Sequence, residues 1–151
     1  MVPFHGIVQV NQILTILLQK KSLCIMTFSA YDEHTQKLFV DLKLLKVEDV
    51  FILQVLKFMH QFQKGDVPDS LSNLFKTHDE IHSINTRGKK AFVLPRVKSN
   101  RFGTFSLGFQ GPRVWNDMCK HLVFLKSTTS ISYLKSQFKQ YKLDLYSNCL
   151  S

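Results

Sequence analysis

A run of basic residues between Glu80 and Asp117 is the part of this sequence best suited to binding a charged ligand. The stretch contains no acidic residue, and its cations repel one another unless a negative charge lies against them. Because nucleic acid supplies such charge, the pattern favours nucleic-acid contact over a merely solvated basic loop. The seven cations are Arg87, Lys89, Lys90, Arg96, Lys98, Arg101 and Arg113.

Phenylalanines are interleaved with these cations. A basic groove with aromatic platforms suits tracking of a phosphate backbone together with stacking on exposed bases. The pattern therefore predicts nucleic-acid binding with little sequence preference. The four phenylalanines are Phe92, Phe102, Phe105 and Phe109.

His78 and His82 form the only pair with a metal-like spacing. On a helix, histidines four residues apart share one face and can bind zinc. Residues 83–88 are not typical of a helix, however, and no third ligand follows from the sequence. We therefore predict no metal site.

No pattern in the chain indicates catalysis. The three cysteines and six histidines show no spacing typical of a nucleophile and its base, and no glycine-rich phosphate loop is present. The aromatic-x-Asp-Asp signature, by which polymerases hold two metal ions, is also absent. The sequence predicts no catalytic residue and no cofactor, so this chain alone is not expected to be an enzyme.

Composition is that of a globular protein with a basic balance. The chain has 151 residues, 44% of them hydrophobic and 21% charged, and a net charge of +9. Three cysteines without a C-x-x-C spacing predict reduced thiols in an intracellular protein, either nuclear or cytoplasmic. The apolar run at residues 7–18 has about 12 residues, against the ~20 that span a bilayer, so no membrane association is expected.

Hydrophobic periodicity predicts helices at both ends of the chain. Repeats of three and four residues favour helices over residues 10–27, 47–63 and 131–145, and a shorter helix carries Leu38, Leu42 and Leu45. Ser29 to Asp32 would cap the start of this shorter helix. The Lys64-Gly65 pair would end the helix predicted over residues 47–63. We expect the long helices to bury Phe51, Phe58, Phe138 and Tyr141.

Two short runs between the helical parts, residues 92–97 and 104–109, show strand-like patterns. The predicted fold class is therefore mainly α with a small β element. Three consecutive segments follow: an N-terminal helical segment over residues 1–66, a basic irregular or β segment over 67–110, and a C-terminal helical segment over 111–151. We expect them to form one structural unit.

Four short sequence boxes occur in a fixed order along the chain, at residues 18–28, 42–49, 82–87 and 110–116. They contain the strings LQKK, LKLLKVED, HSINTR and QGPRVWN. This series resembles the C-terminal region that follows the polymerase domain in reverse transcriptases of non-LTR (LINE-type, Jockey-like) retrotransposons. The resemblance covers residues 13–145. The chain departs from the family pattern at residues 22–24, at Ile84 and at residues 117–119, and it lacks the polymerase and endonuclease portions.

The resemblance implies a non-catalytic tail that contacts template RNA or the target, with the missing polymerase portion or a partner helix as a further partner. Trp115, the only tryptophan, is expected to be a buried anchor rather than a stacking platform. Pro112 is expected in the first turn of a short helix. The residues that match the family boxes are His82, Asn85, Thr86, Arg87, Gly111, Pro112, Trp115 and Asn116.

Two other functional interpretations remain open at the level of sequence. One is a decayed retroelement fragment without a selected function. The other is a helical protein-interaction module that uses the apolar stripe from Ile131 to Leu145.

Overall fold

The computed structural model describes residues 10–30, 35–81, 91–98, 103–121 and 130–148. Within them the chain forms six α-helices, and its β structure is limited to one antiparallel bridge between Thr77 and Phe92. The prediction of a mainly α fold with a small β element is confirmed. The helices are α1 (Val10–Thr27), α2 (Thr35–Asp41), α3 (Val47–Lys64), α4 (His78–Ile81), α5 (Leu107–His121) and α6 (Ile131–Asn148).

The predicted long helices are present with nearly the expected bounds. Helix α1 covers residues 10–27, α3 extends one residue beyond the predicted 47–63, and α6 continues to Asn148. The strand predicted over residues 104–109 is wrong. Gly103–Phe105 is a 3-10 turn, and α5 begins at Leu107, where the Ser106 carbonyl accepts hydrogen bonds from the amides of Phe109 and Gln110. A buried face with helical spacing along α5 outweighs the short alternation of Phe105, Leu107 and Phe109.

Helices α1, α2 and α3 all end in the same motif. In each, a residue with positive φ follows the helix, and the next amide donates a hydrogen bond to a carbonyl five residues earlier. The predicted stop at Gly65 is confirmed. The predicted extension of the second helix to Leu45 is wrong, because Lys43 already closes α2. The positive-φ residues are Phe28 (53°), Lys43 (50°) and Gly65 (76°).

The contacts divide the chain into two compact units. The first unit comprises Met1–Leu53 with Lys135–Ser151, and the second comprises Gln54–Leu134. By sequence the first unit has eight basic and six acidic residues, whereas the second has twelve basic and five acidic ones. The second unit therefore carries +7 of the net charge. The division into three consecutive segments over residues 1–66, 67–110 and 111–151 stays a prediction.

The apolar core of the first unit is built from α1, α2 and α6. The rings of Phe39 and Tyr146 pack edge to face, with their centroids 6.4 Å apart. Cys24 packs in the same cluster as a buried free thiol. The buried members are Leu23, Cys24, Leu38, Phe39, Leu143 and Tyr146.

A buried polar network lies beside this core. The Tyr146 hydroxyl donates a hydrogen bond to Asp49 Oδ2, and the Lys142 ammonium lies 2.8 Å from Asp49 Oδ1. The same hydroxyl accepts a hydrogen bond from the Lys46 amide, and the Lys46 ammonium lies 4.7 Å from the Tyr146 ring centroid. Burial, followed by the hydrogen bond to Asp49 and the negative charge of that carboxylate, raises the pKa of the Tyr146 hydroxyl well above its usual value. The network joins the start of α3 to α6.

Gln19 connects α1 to the start of α3. Its side-chain nitrogen donates a hydrogen bond to the Leu45 carbonyl, and its side-chain oxygen accepts one from the Val47 amide, both at 3.0 Å. Val47 is the first residue of α3, so Gln19 satisfies an amide that the helix itself leaves without a partner. The first and second sequence boxes are thus in direct contact.

The buried face of α3 is centred differently from the predicted stripe. Leu56 and Met59 are fully buried, whereas Phe51 is 42% exposed, so the prediction that Phe51 is buried is wrong. The apolar pattern of α3 is so wide that it does not determine which residues lie at the centre of the buried face. Packing places that centre on the line through Ile52, Leu56 and Met59. Phe138 is fully buried, as predicted, while Phe58 and Tyr141 are half-buried.

Candidate nucleic-acid interface

Three of the seven predicted cations lie in the described part of the chain. Arg96 and Lys98 are exposed on the extended segment 91–98, and Arg113 is half-buried on α5. All three belong to the second unit. The other four cations, Arg87, Lys89, Lys90 and Arg101, lie outside the described residues, as do the box residues His82, Asn85 and Thr86.

Segment 91–98 pairs on one side with the backbone that leads into α4. The His78 amide donates to the Ala91 carbonyl at 3.1 Å, and the Val93 amide donates to the Lys76 carbonyl at 2.8 Å. In this antiparallel arrangement the amide and carbonyl of Phe92 face away from Thr77.

Asn116 of α5 occupies the other side of Phe92. Its Nδ2 donates to the Phe92 carbonyl at 2.7 Å, and its Oδ1 accepts from the Phe92 amide at 3.1 Å. One side chain therefore satisfies both backbone groups of a buried residue, as a neighbouring strand would. We call this arrangement the Asn116 clamp. It fixes the segment that carries Arg96 and Lys98 to helix α5.

The Phe92 side chain reinforces the clamp from an aromatic cluster. Its ring lies 6.0 Å from that of Phe62 and 5.9 Å from that of Phe75, both edge to face. Phe92 is only 2% exposed, so the expectation that it offers a stacking platform is wrong. Its ring anchors the segment instead. Phe109 is half-buried on α5, Phe102 lies outside the described residues, and the Phe105 side chain is not among those described.

The downstream end of the segment is held by a close backbone approach. A Cβ atom on Gly103 would lie 2.7 Å from Val97 Cβ, so the two residues come together only because position 103 has no side chain. Gln110, buried on α5, donates a hydrogen bond to the Thr104 carbonyl at 2.5 Å. Segment 91–98 is therefore anchored at Phe92 and packs against Gly103 through Val97, and the exposed Arg96 and Lys98 flank Val97.

The last sequence box builds the support for this segment. A Cβ atom on Gly111 would lie 2.8 Å from Met59 Sδ and 2.9 Å from Phe75 Cζ, so glycine allows α5 to approach the aromatic cluster closely. Trp115 is 3% exposed, which confirms that it is a buried anchor. Pro112 is the sixth residue of α5, so the prediction of a first-turn proline is wrong. The helix begins earlier than the sequence indicated, because Ser106 rather than Gly111 precedes it.

Lys76 is an exposed cation that sequence reasoning missed. Its carbonyl pairs with Val93, which places it beside the basic segment. No linear pattern shows this, because Lys76 precedes the acidic residues of α4 and joins the segment only through the Thr77–Phe92 bridge. The carboxylates of Asp79 and Glu80 also lie on α4, and Glu80 accepts a hydrogen bond from the Thr77 hydroxyl at 3.1 Å.

The described residues offer no metal centre and no membrane-spanning helix. Among them, no three His, Cys, Asp or Glu side chains come close enough together to hold a metal ion, and His78 is exposed on α4. None of the helices in the described ranges is long and apolar enough to cross a membrane.

Comparison with known proteins returns no match to a family model, to a curated protein or to a solved structure.

Proposed function

We propose that this chain is a non-catalytic nucleic-acid-binding tail, similar to the C-terminal region of a non-LTR retrotransposon RNA-directed DNA polymerase, and that it binds RNA in preference to DNA. One observation carries the proposal: exposed Arg96 and Lys98 stand on a backbone segment that the Asn116 clamp fixes to α5. The four sequence boxes support the similarity to this family. The same proposal places the chain inside the cell, where Cys24 and Cys119 stay reduced.

A fixed segment is a better phosphate-binding surface than a loose basic loop. Cations on ordered backbone lose less conformational freedom when they bind, so more of the electrostatic attraction remains as affinity. The guanidinium of Arg96 can hold a phosphate through two parallel hydrogen bonds, and Lys98 adds a point charge. The surrounding unit, with its charge of +7, attracts a polyanion as a whole.

The salt dependence of binding tests this proposal. Each phosphate neutralised on a single strand contributes about −0.7 to the log–log slope of affinity against salt, so engagement of about four cations predicts a slope near −3. A double variant with Arg96→Glu and Lys98→Glu removes two contacts and is expected to reduce the steepness of the slope by about 1.4. Filter binding of the purified chain to single-stranded RNA at several salt concentrations measures both slopes.

A matched control separates local contact from net charge. Lys37 and Lys135 are exposed and lie in the first unit, so Lys37→Glu with Lys135→Glu changes the net charge equally but should leave the slope nearly unchanged. Equal effects of the two double variants, or an affinity independent of salt, would contradict the proposal. A folded chain that ignores RNA would favour a retroelement fragment without a selected function.

We also expect the isolated chain to be unable to extend a primer. Nucleotide transfer by polymerases needs metal ions held by paired carboxylates, and the sequence has no aromatic-x-Asp-Asp signature. A primer-extension assay on an RNA template with Mg²⁺ or Mn²⁺ measures this, with an intact reverse transcriptase as the positive control. Template-dependent incorporation by the pure chain would show that it is catalytic.

A further inference from the structure

Three exposed side chains follow one another at every second position of the clamped segment. They are Leu94, Arg96 and Lys98, whereas Val93 and Val97, at alternate positions, are half-buried. In extended chain, side chains two residues apart lie on the same side, about 6.5–7 Å from each other. We call this set the exposed row. It presents one apolar side chain, 45% exposed at Leu94, in line with two cations.

A proline limits the conformational freedom of the exposed row. Pro95 has its own φ confined to about −65°, and the residue before a proline is restricted to extended backbone. Two residues upstream of Leu94, the Asn116 clamp holds the backbone of Phe92. The backbone therefore places Leu94 next to Arg96 before any ligand binds, which reduces the entropy that binding must remove.

The two cations of the exposed row suit consecutive phosphates of one strand. Their separation of about 6.5–7 Å is comparable to the distance between neighbouring phosphates along a nucleic-acid strand. The row also lies within the stretch between Glu80 and Asp117, which contains no acidic residue. Arg96 can hold one phosphate through two hydrogen bonds, and Lys98 can pair with the next.

Leu94 suits an unpaired base. Bases have flat apolar faces, and these become available to a protein side chain once the strand is unpaired and unstacked. In a duplex the same faces are covered by neighbouring base pairs, and the surface next to the phosphates consists of charged and polar groups. A duplex on the exposed row would press Leu94 against such groups and remove their water at a cost in free energy. Only a single strand can use all three side chains.

We propose that the exposed row binds single-stranded RNA in preference to duplex, with consecutive phosphates on Arg96 and Lys98 and an unpaired base against Leu94. This inference rests on the proposed function and adds the form of the nucleic acid and the residue that selects it. Leu94 takes the role that the sequence assigned to Phe92, whose ring is buried. An apolar contact reads no hydrogen-bonding edge, so the four bases should bind about equally.

A tryptophan in place of Leu94 tests the base contact. Stacking of one base on an aromatic ring changes affinity by about fivefold or more, so Leu94→Trp should strengthen binding of single-stranded RNA several-fold. Stacking should also quench the fluorescence of the new indole as RNA is added, above the constant background of buried Trp115. Leu42→Trp is the matched control, because Leu42 is 40% exposed and lies in the first unit. It should neither strengthen binding nor be quenched.

Two modified ligands test the preference for a single strand. One is the same RNA strand annealed to its complement, and the other is the strand with abasic sites, which keeps its phosphates but lacks bases. At about 0.15 M salt the wild-type chain should bind the duplex more weakly than the single strand. The gain in affinity from Leu94→Trp should disappear on both modified ligands, because neither offers an unpaired base.

The outcomes separate this inference from the proposed function. Equal affinity of the wild type for single strand and duplex, or a gain from Leu94→Trp that persists on the abasic strand, would overturn the role of Leu94. Unquenched fluorescence of Leu94→Trp in the RNA complex would do the same. In each case a salt slope near −3 on single-stranded RNA would still support the proposed function. An RNA affinity that does not change with salt would instead defeat both.

Discussion

Replacing Asp49 with alanine is expected to lower the free energy of unfolding by about 3–5 kcal/mol. The carboxylate is 6% exposed and is the partner of both the Lys142 ammonium and the Tyr146 hydroxyl. Without it, a charge and a hydroxyl with little access to water lose their acceptor, and the cost of leaving them unpaired exceeds that of the lost contact. Urea denaturation followed by circular dichroism measures the change.

Two further variants show whether the loss comes from the buried network. Glu48→Ala removes the neighbouring carboxylate, which is exposed, and should change stability by less than about 0.5 kcal/mol. Asp49→Asn keeps an oxygen acceptor for Tyr146 but removes the charge that pairs with Lys142, so its loss should lie between the two. If Asp49→Ala were as mild as Glu48→Ala, the network would not contribute to stability.

The same network predicts how stability changes in alkaline solution. Burial raises the pKa of Tyr146 in the folded chain above the value of about 10 that tyrosine has when unfolded. The folded state therefore keeps a proton that the unfolded state releases. The resulting stabilisation is fully present below pH ~10 and decreases as the pH rises above it, by up to about 1.4 kcal/mol per pH unit. In the Tyr146→Phe variant, the decline above pH 10 should be shallower by that amount.

The helices could be predicted from the sequence because their signals are local. Helix α3 combines an apolar stripe with acidic residues in its first turn and a glycine after its last residue. All of these lie within one stretch of 20 residues or so, and they agree with one another. Asp49 shows where this reasoning ends. As a first-turn carboxylate, Asp49 interacts favourably with the helix dipole, which is a local effect, but its partners Lys142 and Tyr146 lie more than 90 residues away in the sequence.

The candidate interface could be predicted only as a charge pattern. The stretch without acidic residues, between Glu80 and Asp117, indicated which cations could contact a polyanion. A linear pattern cannot, however, tell an exposed aromatic ring from a buried one. Phe92 illustrates this, because its alternation with cations suggested a platform, while packing against Phe62 and Phe75 made it an anchor. The resemblance singled out Asn116 without assigning it a role. The role depends on a hydrogen-bond pair that spans 24 residues.

Asn116→Ala is expected to weaken RNA binding by about tenfold while leaving its salt dependence unchanged. The variant deprives the Phe92 amide and carbonyl of their partner on α5. Segment 91–98 then gains freedom that binding must remove, and ordering one residue costs about 1–2 kcal/mol, where 1.4 kcal/mol corresponds to a factor of ten in affinity. Arg96 and Lys98 remain in place, so the number of phosphates neutralised, and with it the slope, should stay the same.

This combination distinguishes a residue that positions cations from one that contacts phosphate. Arg96→Glu with Lys98→Glu should flatten the slope of affinity against salt, whereas Asn116→Ala should shift the whole line to weaker affinity in parallel.

The stability of the Asn116→Ala variant should also fall, by about 2–4 kcal/mol, because two buried backbone groups lose their partner. Asn116→Asp is the matched variant: its carboxylate can still accept from the Phe92 amide but repels the carbonyl, so it should weaken binding as well. Asn73→Ala, at an exposed turn of the same unit, should change neither property. If Asn116→Ala left RNA affinity unchanged in a folded chain, the clamp would serve the fold alone and the fixed segment would not be the binding surface.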